Sequence, residues 1–370
     1  MKINNQHPKI LFLVQLTPPY HGAALANENV VYSQLVNNSF SPSIIDIKTS
    51  HELGKIGRFS LSKLFLSVRI FFKIFVRLLR FKPDIVHFSL APSGFAFYRD
   101  ALYLLLIKMM RYKKVLQLHG KGFRPGINKN YLYRFLCKKI FAGSYCIHLS
   151  RILSNDVQEI GIKKRYIIPY GIKIINEKVP ERSEAMSVKI LYLSNYIRSK
   201  GVLDLIDAVE ILAGNATNFH VELVGNPYDL SIKYLEEYIQ EKKLQHLITV
   251  GGPKYNEDKY EVLRNADLFV FPTHNDAFPN ALLEAMQFGL PCITTTEGGI
   301  PDMIDDGITG FLITPGDKEG MSKAILTLLQ NQELRNQMGI NAQKVFFSKY
   351  TLPIFEKNVV NTFNDIIADK

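Results

Sequence analysis

Asp276 and Glu284 stand eight positions apart, one in a polar loop and the other on the helix that follows. Carboxylates accept hydrogen bonds from paired hydroxyls, so two acids beside an anion-binding turn suit a phosphate attached to sugars better than a bare phosphate. The turn lies in 267–304, DLFVFPTHNDAFPNALLEAMQFGLPCITTTEGGIPDMI. Leu268 to Phe271 is a short apolar run that predicts a buried strand, and Thr273 to Ala277 is a polar loop. Phe278-Pro279-Asn280 opens a helix to about Phe288, with Pro279 near the first turn, where a missing N–H costs nothing. Gly289 ends that helix, Pro291 to Thr294 is the next strand, and a loop with Gly298, Gly299 and Pro301 closes the unit. A strand–loop–helix of this kind aims first-turn amides and the positive end of a helix dipole at the loop. Ala277, Phe278, Pro279 and Asn280 are therefore candidates to surround a donor phosphate. A nucleotide-sugar site fits these residues; so does an ordinary α/β turn carrying two solvated acids.

Cations sit where such a ligand would need them. Asn195-Tyr196-Ile197-Arg198-Ser199-Lys200-Gly201 runs from a strand, Val188 to Leu193, into a helix from Val202. Arg198 and Lys200 beside a helix N-terminus suit a diphosphate, or are loop cations in water. In the first half, the strand Lys9 to Leu16 leads to Gly22, Ala23 and Ala24, small enough for backbone to approach a ligand. The loop is not a GxGxxG fingerprint, so a nicotinamide dinucleotide is not expected. Strand Lys114 to Leu118 delivers His119-Gly120-Lys121-Gly122 to the carboxyl edge, and a histidine there is an active-site candidate. Lys121 and Arg124 are candidates to hold an acceptor phosphate. Gly252 lies in the turn after the strand that opens at Ile248.

The elements that must position these residues form two repeats of one α/β pattern. Further strands are expected at Ser43 to Ile47, Asp84 to Phe88, Tyr145 to Leu149, Tyr166 to Ile168 and Phe219 to Val224. Helices are expected at Arg99 to Met110, at 317–330, from Glu333, and near Pro353 to Ala368. The polar tract Glu177 to Ser187 is the expected linker. This gives domains at 1–178 and 187–350, with a terminal segment 351–370. The 370 residues agree with two domains.

Charge divides the halves. Up to Ile175 there are 27 Lys+Arg and 7 Asp+Glu, a balance of +20; of the whole-chain 45 and 34, this leaves 18 and 27, or −9. The basic half is expected to face an anionic surface or substrate. Residues 53–83 contain eight basic residues and no acid. Leu61, Leu64, Phe65, Val68, Phe71, Phe72, Phe75, Leu78 and Leu79 recur at helical spacing, with Arg69, Lys73, Arg77 and Arg80 expected on the opposite side and Lys63 at its edge. Residues 55–82 thus predict an anionic membrane contact; a helix packed on its own sheet has the same pattern. Cys137, Cys146 and Cys292 form no CxxC and are expected as buried reduced thiols. No histidine spacing suggests a metal, no apolar run is long enough to span a bilayer, and no secretory leader is expected. The expected location is cytoplasmic, peripheral at the inner face of the plasma membrane. No recognition helix or RNP pattern supports nucleic-acid binding.

DAFPNALLEAMQFGLPCI resembles the Glu-x7-Glu segment of retaining glycosyltransferases of family 4, and GGIPDMIDDGITGFLI resembles the segment after it. TPPYHGAALANENV is similar to the family's PPxxGG-like loop, with His21 at a glycine position, and PYGI at Pro169 to Ile172 resembles its PNGI turn. The resemblance implies a GT-B fold: α/β, two Rossmann-like domains with parallel sheets facing across a cleft, and a terminal helix crossing back to the first. It implies that Glu284 contacts the donor ribose, Asp276 and His119 the transferred sugar, and the turn at Gly252 the base. It gives Lys200 the diphosphate, with Asn195 standing where the partner arginine is usual and Arg198 as its substitute. Asp276 is one methylene shorter than the usual Glu. The implied activity is metal-independent, cofactor-free retaining transfer of a hexose-type sugar (hexosyl or N-acetylhexosaminyl), with a UDP-sugar the expected donor. The implied acceptor is a saccharide, lipid-linked, in bacterial surface polysaccharide or glycolipid assembly. A GT-B nucleotide-sugar epimerase and a catalytically idle transferase-like subunit are the alternatives.

Overall fold

A computed structural model describes residues 7–18, 22–49, 61–175, 187–214, 216 and 218–369. Pro19, Tyr20 and His21, residues 55–60 of the basic segment and 177–186 of the expected linker lie outside the described residues. The chain divides into two compact units, Met1–Gly171 with Leu352–Lys370, and Ile172–Thr351. The division falls inside the Pro169 to Ile172 turn.

The first unit runs β1 (Lys9–Val14), α1 (Gly22–Val31), α2 (Gln34–Ser39), β2 (Ser41–Asp46), α3 (Leu61–Phe81), β3 (Ile85–Ser89), α4 (Gly94–Met109), β4 (Lys113–Leu118), α5 (Phe123–Lys129), α6 (Tyr131–Phe141), β5 (Tyr145–His148), α7 (Arg151–Ser154) and β6 (Lys164–Ile167). Its six strands are parallel in the order β2-β1-β3-β4-β5-β6. β1 is apolar almost throughout because a parallel strand is covered on both faces. Successive side chains alternate: Leu11 and Leu13 enter the layer with α3, α4 and α6, while Ile10, Phe12 and Val14 face the other.

The second unit runs β7 (Val188–Leu193), α8 (Val202–Ala213), β8 (Phe219–Val224), α9 (Ile232–Glu241), β9 (Ile248–Gly251), α10 (Asn256–Asn265), β10 (Leu268–Phe271), α11 (Asn280–Gln287), β11 (Cys292–Thr295), β12 (Gly310–Ile313), α12 (Lys318–Gln330) and α13 (Gln332–Lys349). Its parallel order is β12-β11-β10-β7-β8-β9. The last helix, α14 (Leu352–Ala368), belongs to the first unit. Phe363 on α14 meets the rings of Phe12, Phe40 and His87. Lys113 Nζ donates to the carbonyls of Ile366, Ile367 and Asp369, neutralising the helix C-terminus.

Two helices depart from the sequence reading. α4 begins at Gly94, five residues before the expected Arg99. Gly94 takes a left-handed φ of 67°, and Phe97 is needed in the core. Arg99 itself is buried and pairs with Asp100 at 2.6 Å. Burial pushes the Asp100 carboxyl up, against the pull of the Arg99 guanidinium.

The faces of α3 are also rearranged. Its buried residues are Ser67, Ile70, Ile74 and Leu78. Of the nine apolar residues expected to form one stripe, only Leu78 is buried and Phe71 half-buried; the other seven are exposed. Hydrophobic spacing located the helix correctly, and the expected stripe is mostly its outward face rather than the face packed on the sheet. Ile70 and Ile74, absent from the expected stripe, are what the sheet takes. The cations lie on the side away from the stripe's centre, as expected. At about 100° per residue, Arg69, Lys73, Arg77 and Arg80 fall between the packed and the exposed apolar faces. Among the described residues, no helix is long and apolar enough to cross a membrane.

Candidate functional site

In an open parallel sheet, ligands bind beyond the carboxyl ends of the strands, where strand order reverses direction. That point lies between β7 and β10 in the second unit. The loops leaving those two strands carry Asn195 to Lys200 and Thr273 to Asn280.

The structure joins these loops closely. Ser199 O accepts the His274 amide at 2.8 Å and the Thr273 hydroxyl at 3.2 Å. Lys200 Nζ donates to Asp276 Oδ2 at 2.5 Å and to Asn275 O at 3.1 Å. A lysine ammonium has three donors, so one remains for an anion among the described residues. Gly201 makes the approach possible. Its φ is 77°, and a Cβ there would run into the Pro272 carbonyl. Gly298 does the same on the other side, packing its backbone against the carbonyls of Asp276 and Ala277, while Gly299 donates to Ala277 O at 2.8 Å.

Pro279 is the N-cap of α11 and caps no amide with its side chain. The positive end of the helix therefore opens onto the loop holding Asp276. Phe278 is buried and meets the Tyr350 ring edge-on, fixing where α11 starts. Asn280 Oδ1 is enclosed without a hydrogen-bond donor among the described residues. Glu284 projects from the second turn of α11 and accepts from Lys259 Nζ at 2.7 Å. Lys259 was missed in the sequence: it lies 25 residues away on α10, one lysine among many, with no local spacing to mark it.

The remaining donor candidates are placed as follows. Arg198 is exposed, with its guanidinium over the Tyr234 ring at 5.3 Å and its amide held by Asp229. Its side chain thus stacks on α9, apart from the Lys200–Asp276 pair. Asn195 is exposed at the end of β7. The next residue, Tyr196, is buried and its hydroxyl anchors to the carbonyls of Leu223 and Gly251. Gly252 follows β9, with open space where a side chain would stand.

The first unit reverses between β1 and β3. Gln15, Ser89 and His119 follow or end β1, β3 and β4 there, and α1 brings Asn27. Asn27 Nδ2 donates to Gln15 O at 3.0 Å, which turns Oδ1 to His119 Nε2 at 3.0 Å. Nε2 therefore carries a proton. Nδ1 lies 2.7 Å from the hydroxyl of Tyr170 and accepts from it in the neutral ring. Both ring nitrogens are engaged inside the unit, so a sugar hydroxyl would reach them by replacing Asn27 or Tyr170. Tyr170 was seen in the sequence only as an altered turn residue; here it is a buried partner of His119. Gly22 opens α1 and is exposed. Lys121 and Arg124 are exposed beside α5. Asp156 accepts the amides of Gly122, Phe123 and Arg124 at 2.7–2.9 Å, so the N-terminus of α5 already holds a carboxylate. An acceptor phosphate there would depend on side chains alone.

Residues 174–345 match the family model of glycosyl transferases group 1. The capsular polysaccharide biosynthesis glycosyltransferase CapM of Staphylococcus aureus is 23% identical over 266 residues, 67% of this chain and 68% of that protein. A glycosyltransferase from Rickettsia africae ESF-5 superposes with a TM-score of 0.76 at 19% identity, covering 99% of this chain and 100% of that one. Anabaena Alr3699/HepE, solved in complex with UDP, gives 0.72 at 17% identity, over 96% and 100%. The fold is GT-B, two Rossmann-like units each with a parallel sheet. Sequence relatives, family model and fold together support a glycosyltransferase.

Proposed function

We propose that this protein is a retaining glycosyltransferase that moves a hexose or N-acetylhexosamine unit from a UDP-sugar to a lipid-linked saccharide. The observation that carries the reading is the Lys200–Asp276 pair between the loops of β7 and β10, beside the uncapped end of α11. Loss of a diphosphate from the anomeric carbon builds charge on the leaving oxygens. Lys200 and the first-turn amides of α11 are preorganised to stabilise it, which is the largest lever such a site has. They do so without a metal or other cofactor in this reading. Glu284 accepts from the ribose hydroxyls while Lys259 holds its other side. Asp276 and Asn280 address the transferred sugar. The backbone near Gly252 borders the nucleotide, Arg198 and Asn195 are peripheral to the diphosphate, and Gly22 is the first unit's own candidate for close approach to a ligand. In the retaining step, the acceptor hydroxyl bonds to the anomeric carbon on the face the diphosphate leaves. The C–O bond to UDP breaks, and the hydroxyl proton passes to the departing phosphate oxygen. On the first unit, His119, hydrogen-bonded to Asn27 and Tyr170, is the candidate contact for a sugar, and Lys121 and Arg124 are the candidate acceptor contacts.

The test is transfer, or slow hydrolysis, of UDP-sugars without added metal, with the anomeric configuration of the product followed by NMR. Product of the same configuration as the donor supports the reading. Inverted product overturns retention. Conversion of the nucleotide sugar to its epimer without an acceptor overturns transfer.

A further inference from the structure

Among the described residues, the outward surface of α3, α4 and α6 is left uncovered. These helices cover one face of the first sheet, where their inner residues form a single core. On α3 the outward residues are Leu61, Leu64, Phe65, Val68, Phe72, Phe75, Val76 and Leu79, and Leu61 and Phe65 are 77% and 76% exposed. They fall on one strip, roughly 30 Å long for 21 residues. A soluble helix of this length places its apolar strip inward; this one has a packed strip and a second, larger one facing out. Exposed apolar side chains continue on the neighbours, at Leu102 and Met109 of α4 and Tyr131 and Leu132 of α6.

The charge around the strip is one-sided. From Leu61 to Asn155 there are 18 Lys and Arg but only two acids, Asp84 and Asp100. Asp100 is buried against Arg99, and Asp84 accepts the Lys9 amide. Neither opposes an anion on the outer face. Beside the apolar strip, Phe72, Lys73, Val76, Arg77, Arg80 and Phe81 line a groove of about 590 Å³. Arg77 is steadied there by the Ser43 hydroxyl at 2.6 Å. Cations lining an apolar groove match a phosphate headgroup whose acyl chains continue into an oily layer.

We infer that this face docks on an anionic lipid bilayer. The α3 strip enters the headgroup–acyl boundary, and the groove cations hold lipid phosphates. Apolar burial and charge attraction act together in such elements, and neither alone gives firm attachment. A protein partner would require acidic complementarity along the same strip; a bilayer supplies both chemistries over an area of this length. The inference does not depend on the transfer chemistry proposed above.

The test is co-flotation of the full chain with phosphatidylcholine vesicles, with or without about a third phosphatidylglycerol. Binding should need the anionic lipid and weaken as salt rises. Lys73→Glu and Arg80→Glu should each weaken it at least five-fold, and Phe65→Ser with Phe72→Ser on the order of ten-fold or more. All four side chains are exposed, so circular dichroism and melting should match the wild type. Lys233→Glu, exposed on α9 of the other unit, should change nothing. Equal flotation with neutral and anionic vesicles, no flotation, or full binding by the phenylalanine variant would overturn the inference. So would a wild-type dimer that the phenylalanine variant splits, because a second copy would then be the occupant.

Discussion

Both units are six-stranded parallel sheets that reverse beside their first strand, although their strand orders differ, and they furnish that point differently. Each first strand sits beside the reversal in strand order, and each gathers its candidate residues there. In the second unit the reversal point holds two lysine–carboxylate pairs, Lys200–Asp276 and Lys259–Glu284, next to a helix start with no side-chain cap. In the first unit it holds a polar network, His119 between Asn27 and Tyr170, while the nearby start of α5 is filled by Asp156. One site keeps an anion-binding helix end open and places paired charges around it. The other has closed its own. In the proposed reading, position in the sheet sets where a ligand would bind, and the open start of α11 assigns the phosphate to the second unit.

That contrast breaks most readily at Lys200. Lys200→Ala should lower sugar transfer on the order of 10²-fold or more with little change in melting. Asp276 would then lack its cation as well, so turnover close to wild type would remove the lysine from the reaction. An acid-stability difference comes next. Burial holds the imidazoles of His87 and His148 down at about 3 and about 4, both in the first unit. Above pH 6.5 they are neutral in folded and unfolded chains and do not affect stability. Below 6.5 the unfolded chain takes up protons that the folded one refuses, so stability falls until the folded values are reached. By pH 4.5 the loss is on the order of 2 kcal/mol per histidine. Hydrogen exchange of the full chain at pH 7 and 4.5 should show the first unit opening more, and His87→Leu should lessen that difference. Equal acid loss in His87→Leu and wild type would contradict it.

Smaller effects sharpen the assignments. Lys259→Ala should weaken donor binding about ten-fold by freeing the Glu284 carboxylate from its orientation, and calorimetry with UDP would show it. Unchanged affinity would make Lys259 a surface pair only. Tyr170→Phe removes one hydroxyl from His119. It should lower transfer by about three- to five-fold and shift its pH profile, at a stability cost of about 1 kcal/mol. Loss of stability with an unshifted profile would leave Tyr170 a packing residue.

The sequence exposed the second unit's site more readily than the first's. Pro279 and Glu284 lie within one strand–loop–helix and Gly298 and Gly299 in the loop after the next strand, a short stretch where local rules apply, and the expected helix is present at Asn280–Gln287. Long-range pairs were not legible. Lys259 and Glu284 meet from separate helices, and Tyr170 reaches His119 across 51 positions. The direction of α3 was illegible for another reason. It has apolar residues on two faces, and periodicity alone does not tell which one a sheet will cover. Arg198 shows the limit of residue type. A cation at a helix start suits a diphosphate, yet a nearby Tyr234 ring draws its side chain away.

The most direct measurement is calorimetric binding of a UDP-sugar panel to the wild type, Lys200→Ala and Glu284→Ala, without metal. Micromolar binding of one donor, weakened on the order of ten-fold or more by Glu284→Ala, is the expected result. No binding by any donor, or equal binding by all three proteins, would contradict a donor site at the β7–β10 reversal.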